Sequence, residues 1–341
     1  MSISVEKGKH EAKFWKKEGD KTACYLCPHH CRLNEGKYGI CGVRQNQGGK
    51  LYSLIYGRAS GVHIDPIEKK PLFHFLPGEP ILSLGSVGCN LRCQHCQNFS
   101  ISQAKVQETH LEGMRPEDVS RIAMENGCRA IAYTYNEPTI WHEFTYDASK
   151  IAKEKGLRTV YVTNGFIEEE PLREIAPYLD AMNIDVKGFR EDFYKNVCKA
   201  RLEPVLKATI LAHQLGIHIE LTYLIIPGKN DSETEMRDFT QWVSKELAKS
   251  VPVHFTRFHP DYMMNDVPAT PVKTLSLARG IAKEEGLKFV YTGNYLSEDG
   301  EDTRCPKCGA LIIHRIGFNV EKVNFRGSSC PKCGEDLHIV P

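Results

Sequence analysis

Three cysteines, Cys89, Cys93 and Cys96, have the spacing C-x3-C-x2-C, and no other cysteine lies between residues 42 and 127. Three thiolates on one short loop can hold three iron atoms of a [4Fe–4S] cluster and leave the fourth iron open to an exogenous ligand. Clusters used for electron transfer take four cysteines, and structural zinc sites take four ligands. The spacing therefore predicts a cluster with one open iron. The alternative is a three-cysteine zinc site completed by His95 or by a distant residue.

A second group of cysteines, close to the N-terminus, has the spacing C-x2-C-x3-C-x9-C and consists of Cys24, Cys27, Cys31 and Cys41. Four soft ligands so close together predict a metal site, with His29 and His30 as substitute ligands. The uneven spacing suits an auxiliary iron–sulfur cluster, and a compact four-cysteine module also suits structural zinc. Both alternatives remain open at this stage.

A third group consists of two Cys-Pro-Lys-Cys-Gly repeats, which contain Cys305 with Cys308 and Cys330 with Cys333. Two such knuckles predict a zinc ribbon, with a rubredoxin-like iron site as the chemical alternative. The acidic stretch 297–302 before them is interpreted as a solvated linker. We therefore expect a chain that ends near Tyr295 to keep the cluster of the three-cysteine loop and the chemistry of that cluster, and to lose about one zinc ion.

The segments that must position these cysteines alternate between strand-like and helix-like patterns. This alternation predicts an α/β fold with a parallel sheet, and the number of units suits a partial (β/α)6-type TIM barrel. We expect a four-cysteine metal-binding module over residues 1–75, the partial barrel over 76–296 and the zinc ribbon over 297–341. The predicted strands are 81–87, 131–135, 158–163, 181–186, 218–226, 253–258 and 288–292, and the predicted helices are 115–126, 139–155, 169–178, 205–215, 232–248 and 271–285.

Polar residues follow most of the predicted strands, where a parallel barrel places its active site. The cysteine loop follows the first strand, and five further groups follow or end later strands. We therefore expect these side chains to meet at one rim. They are Asn136 and Glu137, Thr163 and Asn164, Asp185 and Lys187, the Pro-Gly pair at 227–228, and His259.

With these residues in view, residues 80–295 resemble radical S-adenosylmethionine (SAM) enzymes of the pyruvate formate-lyase activase-like group. Within that group the chain is most similar to the AmmeMemoRadiSam system enzymes. The markers of this subgroup are Cys24-x2-Cys27-Pro28 and the runs at 39–44 (Gly-Ile-Cys-Gly-Val-Arg), 70–78 (Lys-Pro-Leu-Phe-His-Phe-Leu-Pro-Gly) and 135–139 (Tyr-Asn-Glu-Pro-Thr).

The resemblance implies that SAM chelates the open iron through its amino and carboxylate groups. Glu137 would accept hydrogen bonds from the SAM ammonium, and charge-assisted bonds of this kind are strong. In the Asp-x-Lys stretch of Asp185 and Lys187, the lysine would reach the SAM carboxylate. His259 would lie near the nucleoside. The alternatives are a surface salt bridge for Lys187 and a packed loop histidine for His259.

The resemblance also places Asn136, Thr163 and Asn164 at the SAM site, but the chain departs from the activases nearby. Tyr135 and Asn136 replace two glycines, Val162 replaces an aspartate, and Thr222 replaces an arginine. These changes count against a bound monovalent cation and against the activases' own substrate reaction. They leave cluster binding and SAM cleavage in place.

The function implied is reductive cleavage of SAM to a 5′-deoxyadenosyl radical, which abstracts hydrogen from an unidentified substrate. The alternatives are a glycyl-radical-enzyme activase, and a non-catalytic iron–sulfur and zinc protein for electron transfer or scaffolding. This chemistry implies an electron donor such as a ferredoxin or flavodoxin. The family association adds Memo-like and Ammecr-like proteins as partners.

Composition excludes other classes. The 44 basic and 43 acidic residues give a net charge of +1 with no basic stripe, so no nucleic-acid footprint is expected. Residues 1–21 lack the apolar core of a signal peptide, and no apolar stretch approaches a membrane span. Of the 13 cysteines, 11 fall in the three metal-ligand groups, which indicates the cytoplasm. Cys128 and Cys198 are interpreted as small apolar residues on helices. Tyr133 and Tyr135 are expected either to line the cavity or to pack in the core.

Overall fold

The computed structural model of the chain describes residues 8–295, 297 and 299–341. Residues 1–7 of the N-terminal segment discussed above, and Glu298 of the acidic stretch, lie outside the described residues.

Short strands dominate both ends of the chain, and strands alternate with helices in its middle. The strands are β1 (His10–Glu11), β2 (Trp15–Glu18), β3 (Lys21–Cys24), β4 (Arg32–Leu33), β5 (Arg44–Gln47), β6 (Lys50–Ser53), β7 (Arg58–Ala59), β8 (Gly61–Pro66), β9 (Pro80–Gly85), β10 (Glu112–Gly113), β11 (Ala130–Tyr133), β12 (Arg158–Thr163), β13 (Ala181–Asp185), β14 (His218–Ile225), β15 (Val253–Arg257), β16 (Val290–Gly293), β17 (Thr303–Arg304), β18 (Leu311–Ile316) and β19 (Asn319–Val323). The α-helices are α1 (Phe99–Ser102), α2 (Pro116–Glu125), α3 (His142–Glu154), α4 (Glu169–Ile175), α5 (Glu191–Phe193), α6 (Leu202–Gln214), α7 (Glu233–Trp242) and α8 (Val272–Glu284).

The central sheet has the strand order β16-β15-β14-β13-β12-β11-β9-β8 among the described residues. The seven strands from β9 and β11 to β16 are parallel, and they are the seven strands that the sequence predicts, with ends that differ by at most two residues. The α/β architecture with a mostly parallel sheet is therefore confirmed. Strands β8 and β16 are its edges, so hydrogen bonding does not close the described sheet into a ring.

Sequence analysis placed residues 61–66 in the N-terminal module, but in the structure they form β8, an edge strand of the central sheet. It pairs antiparallel with β9, from Gly61 opposite Gly85 to Pro66 opposite Pro80. A proline at the end of a short, half-exposed strand suits an edge and gives a weak strand pattern in the sequence. The chain segment before residue 76 therefore contributes directly to the central sheet. The remaining N-terminal strands form the small antiparallel sheets β1-β6-β5 and β2-β3-β4.

The predicted helices are also present, with local differences at their ends. The helix predicted over 139–155 starts at His142, because residues Pro138–Trp141 form a 3-10 turn. The helix predicted over 232–248 starts after Ser232, whose side chain accepts a hydrogen bond from the Glu235 amide, and it ends in a π-turn at Val243–Leu247. No α-helix in the described ranges is long and apolar enough to cross a membrane.

The C-terminal strands β17, β18 and β19 form an antiparallel sheet, and we call residues 303–341 the C-terminal unit. Its buried Ile312, Ile313 and Leu337 pack in one apolar cluster with Phe73 and Tyr291 of the central part of the chain. A parallel bridge also joins Phe75 to Val340. The unit thus shares its core with the central sheet.

The interpretation of residues 297–302 as a solvated linker is wrong for the residues that join the C-terminal unit. Glu301 and Asp302 are each only 7% exposed. Asp302 accepts hydrogen bonds from the His314 ring and from the Arg315 amide, and the Glu301 carboxylate accepts one from the Gly317 amide. Buried carboxylates need such partners, and the C-terminal unit supplies them. These acids attach the unit to the preceding chain.

Candidate functional site

A cavity of about 530 Å³ opens where several strands of the central sheet end. Its walls come from the segments that follow β9, β11, β12 and β13, and from β14 and β15. The volume suits a site for a small molecule. The predicted site residues that line it are Cys89, Cys93, Cys96, Asn136, Glu137, Thr163, Asn164, Asp185 and Lys187.

The cysteine loop starts with a turn that requires glycine. Gly88 has φ +85°, and a Cβ there would lie 2.5 Å from the Cys41 carbonyl oxygen. The Asn136 side chain holds this turn, because its Nδ2 donates to the Gly88 carbonyl at 3.0 Å and its Oδ1 accepts from the Ser86 amide at 3.1 Å. Asn136 therefore positions the loop, in addition to lining the cavity.

The three thiols of the loop lie in different surroundings. The Cys89 Sγ accepts from the Leu91 amide at 3.3 Å and from the Asn164 Nδ2 at 3.6 Å, and the Cys96 Sγ lies 3.1 Å from the Ser102 hydroxyl. Burial, and then the nearby Glu137 carboxylate, raise the pKa of Cys89 well above its ordinary value. A thiol of this kind becomes a thiolate when a metal supplies the compensating positive charge.

The spacing of the three sulfur atoms also fits a cluster. No three ligand atoms in this loop meet the 4.8 Å mutual spacing that the C-terminal cysteines show, within the part of the chain that the structure describes. A single ion draws its ligands together, whereas a cubane takes one thiolate on each of three separate iron atoms. The donor set therefore fits three corners of one cluster.

Sequence analysis did not predict the segment that supports the cysteine loop. Residues Tyr194–Cys198 form a π-turn, and the carbonyls of Val197 and Cys198 accept the amides of Gln94 and Arg92 at 3.1 and 2.8 Å. The Cys198 side chain lies close to Cys93, and this neighbour, together with burial, raises the pKa of Cys93. Cys198 is thus in contact with the site, which corrects its interpretation as an apolar filler. The only feature that marks this segment as part of a functional site is its π-turn, because such turns are frequent at functional sites.

Cys128 and Tyr133 lie away from the cavity. Cys128 is buried between α2 and β11, outside the helix where the sequence placed it. Tyr133 is buried in the core against Trp141 and Tyr161, so its expected packing role holds and its expected cavity role does not.

Glu137 is 1% exposed, lines the cavity and accepts three hydrogen bonds. Its Oε1 accepts from the Thr139 amide at 2.9 Å and from the Thr163 hydroxyl at 2.7 Å, and its Oε2 accepts from the Asn164 amide at 2.8 Å. These donors are neutral, and burial raises the pKa of Glu137. A buried carboxylate with neutral donors at a cavity wall favours a cationic ligand.

Asp185 and Lys187 form an ion pair of 2.7 Å in the wall of the cavity. Burial opposes the charge of Lys187, and the Asp185 carboxylate outweighs it and raises the pKa of the lysine. The salt bridge that sequence analysis considered for Lys187 does form, and its place is the cavity wall, where the Lys187 side chain is 19% exposed.

His259 and Thr222 differ from the other predicted site residues. His259 is exposed, and its Nε2 lies 2.9 Å from the Gln97 Nε2 at the edge of the cysteine loop. It is not among the residues that line the cavity. Thr222 does line it, and its hydroxyl donates to the Asn183 side chain at 3.0 Å.

One wall of the cavity was missed because its residues come from a loop before β9. Lys69 and Lys70 both line the cavity, and their ammonium groups contact the Asp65 carboxylate at 2.9 and 2.6 Å. The Tyr135 hydroxyl donates to the same carboxylate at 2.7 Å, and Tyr135 has φ +72°. A positive φ at a bulky residue is costly and is concentrated at functional sites. Phe318 of the C-terminal unit completes the rim.

The C-terminal cysteines form a separate candidate metal centre. Their four sulfur atoms lie within 4.8 Å of one another, with Cys305 and Cys333 at 3.5 Å and Cys308 and Cys330 at 3.7 Å. A tetrahedron with metal–sulfur bonds of about 2.3 Å has edges of about 3.8 Å. The spacing therefore fits one tetrahedral ion.

Comparison with known proteins identifies the family of the cavity-bearing part. A family model described as the radical SAM superfamily matches residues 84–240. An uncharacterized protein of Methanocaldococcus jannaschii is 49% identical over 333 residues, which are 97% of this chain and 99% of that protein. A pyruvate formate-lyase-activating enzyme of Clostridium pasteurianum is 23% identical over 53% of this chain and 81% of its own length. The solved structure of Streptococcus suis SuiB is similar in fold, with a TM-score of 0.51 at 12% identity over 67% of this chain and 52% of SuiB.

Proposed function

Because the chain belongs to the radical SAM superfamily, we propose that it binds a [4Fe–4S] cluster through Cys89, Cys93 and Cys96 and cleaves SAM reductively in the adjoining cavity. The observation that carries the proposal is that the three thiols and the buried Glu137 carboxylate face one cavity of about 530 Å³. A donor set of three thiolates leaves one iron for an exogenous ligand, and the cavity gives that ligand room.

When bound, the cluster and SAM supply a 5′-deoxyadenosyl radical that abstracts hydrogen from a substrate, which remains unidentified. The chain holds the three thiolates, and Asn136 and Cys198 fix the loop that carries them. Glu137 would accept hydrogen bonds from the SAM ammonium, and Lys187, in the same cavity wall, would meet the SAM carboxylate. The buried part of the lining, which includes Glu137, Thr163 and Asn164, would keep water and competing hydrogen donors away from that side of the site.

Two further assignments belong to this proposal. The tetrahedral spacing of the C-terminal sulfur atoms supports zinc in the C-terminal unit. The sequence markers support membership in the AmmeMemoRadiSam subgroup, with Memo-like and Ammecr-like partners and a ferredoxin or flavodoxin as the electron donor.

The proposed function is tested by measuring 5′-deoxyadenosine after anaerobic reconstitution with iron, sulfide, a strong one-electron reductant and SAM. Formation of 5′-deoxyadenosine and methionine in equal amounts is expected. A reconstituted chain with a complete cluster that leaves SAM intact would show that the site serves another purpose.

Glu137→Gln should weaken SAM binding while leaving the iron content unchanged. The substitution keeps the shape and removes the negative charge that faces the ammonium, a loss of about 1.5–3 kcal/mol for a charged hydrogen bond, or roughly 10- to 150-fold in Kd. Isothermal titration with SAM measures the change. Glu154→Gln, the same change at an exposed position on α3, is the control and should bind SAM normally. Equal affinity in both variants would exclude Glu137 as the ammonium ligand.

A further inference from the structure

The four N-terminal cysteines converge on one small cavity, although they come from separate segments. Cys24 ends β3, Cys27 and Cys31 lie in the turn between β3 and β4, and Cys41 lies before β5. All four line the cavity together with the buried apolar side chains of Leu26, Leu33 and Ile140. A small, largely apolar cavity with four thiols is suited to a metal centre.

The spacing of the sulfur atoms separates this centre from the C-terminal one. Within the described residues, no three of the N-terminal sulfur atoms lie within 4.8 Å of one another, whereas all four C-terminal ones do. The C-terminal cysteines show that the sulfur atoms of this chain have tetrahedral spacing where the sequence predicts a site for a single ion. The wider N-terminal arrangement suits a cubane, because each thiolate then binds a different iron atom.

Hydrogen-bond donors surround the N-terminal sulfur atoms. The Ile40 amide donates to the Cys31 Sγ at 3.5 Å, and the Arg44 Nη1 donates to the Cys24 Sγ at 3.8 Å. The backbone amides near His29 and Val43 act to lower the pKa of Cys27 and Cys41, against the larger effect of burial, which raises both. Two of the four sulfur atoms, those of Cys24 and Cys31, therefore have an N–H donor, and such donors stabilise the negative thiolates of a cluster and adjust its reduction potential.

The N-terminal cavity also adjoins the back of the Cys89–Cys96 loop. The Cys41 carbonyl is so close to Gly88 that it excludes a side chain there, as described above. The His29 ring lies 2.7 Å from the Asn90 carbonyl, and the Arg92 guanidinium donates to the Ile40 carbonyl. The two cysteine groups are thus joined by direct backbone and side-chain contacts.

We propose that Cys24, Cys27, Cys31 and Cys41 bind a second [4Fe–4S] cluster that is ligated entirely by protein and acts as a one-electron centre beside the three-cysteine loop. With four thiolates, no iron is left open for SAM or substrate, so electron transfer is the chemistry that remains. An external one-electron donor of the flavodoxin or ferredoxin class would reduce it by one electron. It would return to its oxidised state when it passes that electron on, with no bond made or broken.

The test uses the full chain with the combined substitutions Cys89→Ala, Cys93→Ala and Cys96→Ala, reconstituted anaerobically with iron and sulfide. The variant should retain about four iron and four sulfide per chain, as a cubane requires, and should take up one electron in a redox titration followed by electron paramagnetic resonance. Bound sulfide distinguishes a cluster from mononuclear iron in the C-terminal unit, because a mononuclear site contains no inorganic sulfide.

The matched control replaces Cys24, Cys27, Cys31 and Cys41 with serine in the same background and should lose this iron and sulfide. If that control misfolds by circular dichroism, iron and sulfide analysis of the unmodified chain, with Mössbauer spectra to identify cubane iron, still decides the matter, because two clusters give about eight iron atoms per chain and one gives about four. Zinc in place of iron at this site, or iron that takes up no electron, would overturn the proposal. Neither readout uses SAM cleavage, so the proposed function is tested separately.

Discussion

Replacing Cys89, Cys93 or Cys96 singly with alanine is expected to abolish formation of 5′-deoxyadenosine. Each substitution leaves two protein thiolates for a cluster that this loop binds with three, and such a cluster is poorly held. We expect iron bound at this loop to be lost with the activity.

The matched control is Cys128→Ala. Cys128 is a buried cysteine outside the cavity, so its loss removes a thiol and leaves the site intact. It should cleave SAM at the rate of the unmodified chain under the same reconstitution. Full activity in any one of the three loop variants would contradict the assignment of that cysteine as a cluster ligand.

Arg315→Met is expected to destabilise the whole fold by about 3–5 kcal/mol, which is the cost of removing one partner from a buried ion pair. The Arg315 side chain is fully buried beside Glu68, and it donates to the carbonyls of Glu301 and Phe73 at 3.0 and 2.8 Å. The substitution strands these acceptors without donors. The midpoint of urea unfolding should fall with little change in slope.

Arg304→Met is the control for this prediction. Arg304 belongs to the same unit and faces Asp302 at 3.4 Å, but its side chain is 47% exposed. Because the Arg304 guanidinium is largely in solvent and the buried Asp302 keeps its bonds to His314 and to the Arg315 amide, we expect a loss of about 0.2–1 kcal/mol, as for an exposed ion pair. If both variants unfolded at the same urea concentration, Arg315 would not connect the C-terminal unit to the central sheet.

The packing of the C-terminal unit also reverses the expectation that a chain ending near Tyr295 keeps its cluster chemistry. Such a chain would expose the buried Phe73, Phe289 and Tyr291, which pack against the C-terminal unit, and would remove Phe318 from the rim of the cavity. We expect it to be insoluble or to lose SAM turnover. A truncated chain that stays folded and cleaves SAM would restore the independence that the sequence suggested.

The features that depend on residues close together in the chain could be predicted from the sequence. The cysteine loop is recognisable because its three thiols are separated by only two or three residues, and cluster geometry requires that spacing. The seven parallel strands are recognisable because buried strands carry short apolar runs between helical segments. Polar residues after these strands predicted the cavity wall that contains Glu137, Asp185 and Lys187, because parallel strands end at one edge.

Other features depend on contacts between distant segments, and only the tertiary structure decides them. No local pattern predicts that Cys198 meets Cys93, that Lys70 and Tyr135 share the Asp65 carboxylate, or that His259 stays outside the cavity. Similarly, four cysteines in a short segment indicate a metal, whereas only the tertiary structure brings all four to one cavity. The packing of the C-terminal unit belongs to the same class, because a charge such as Asp302 is solvated or buried according to what packs over it.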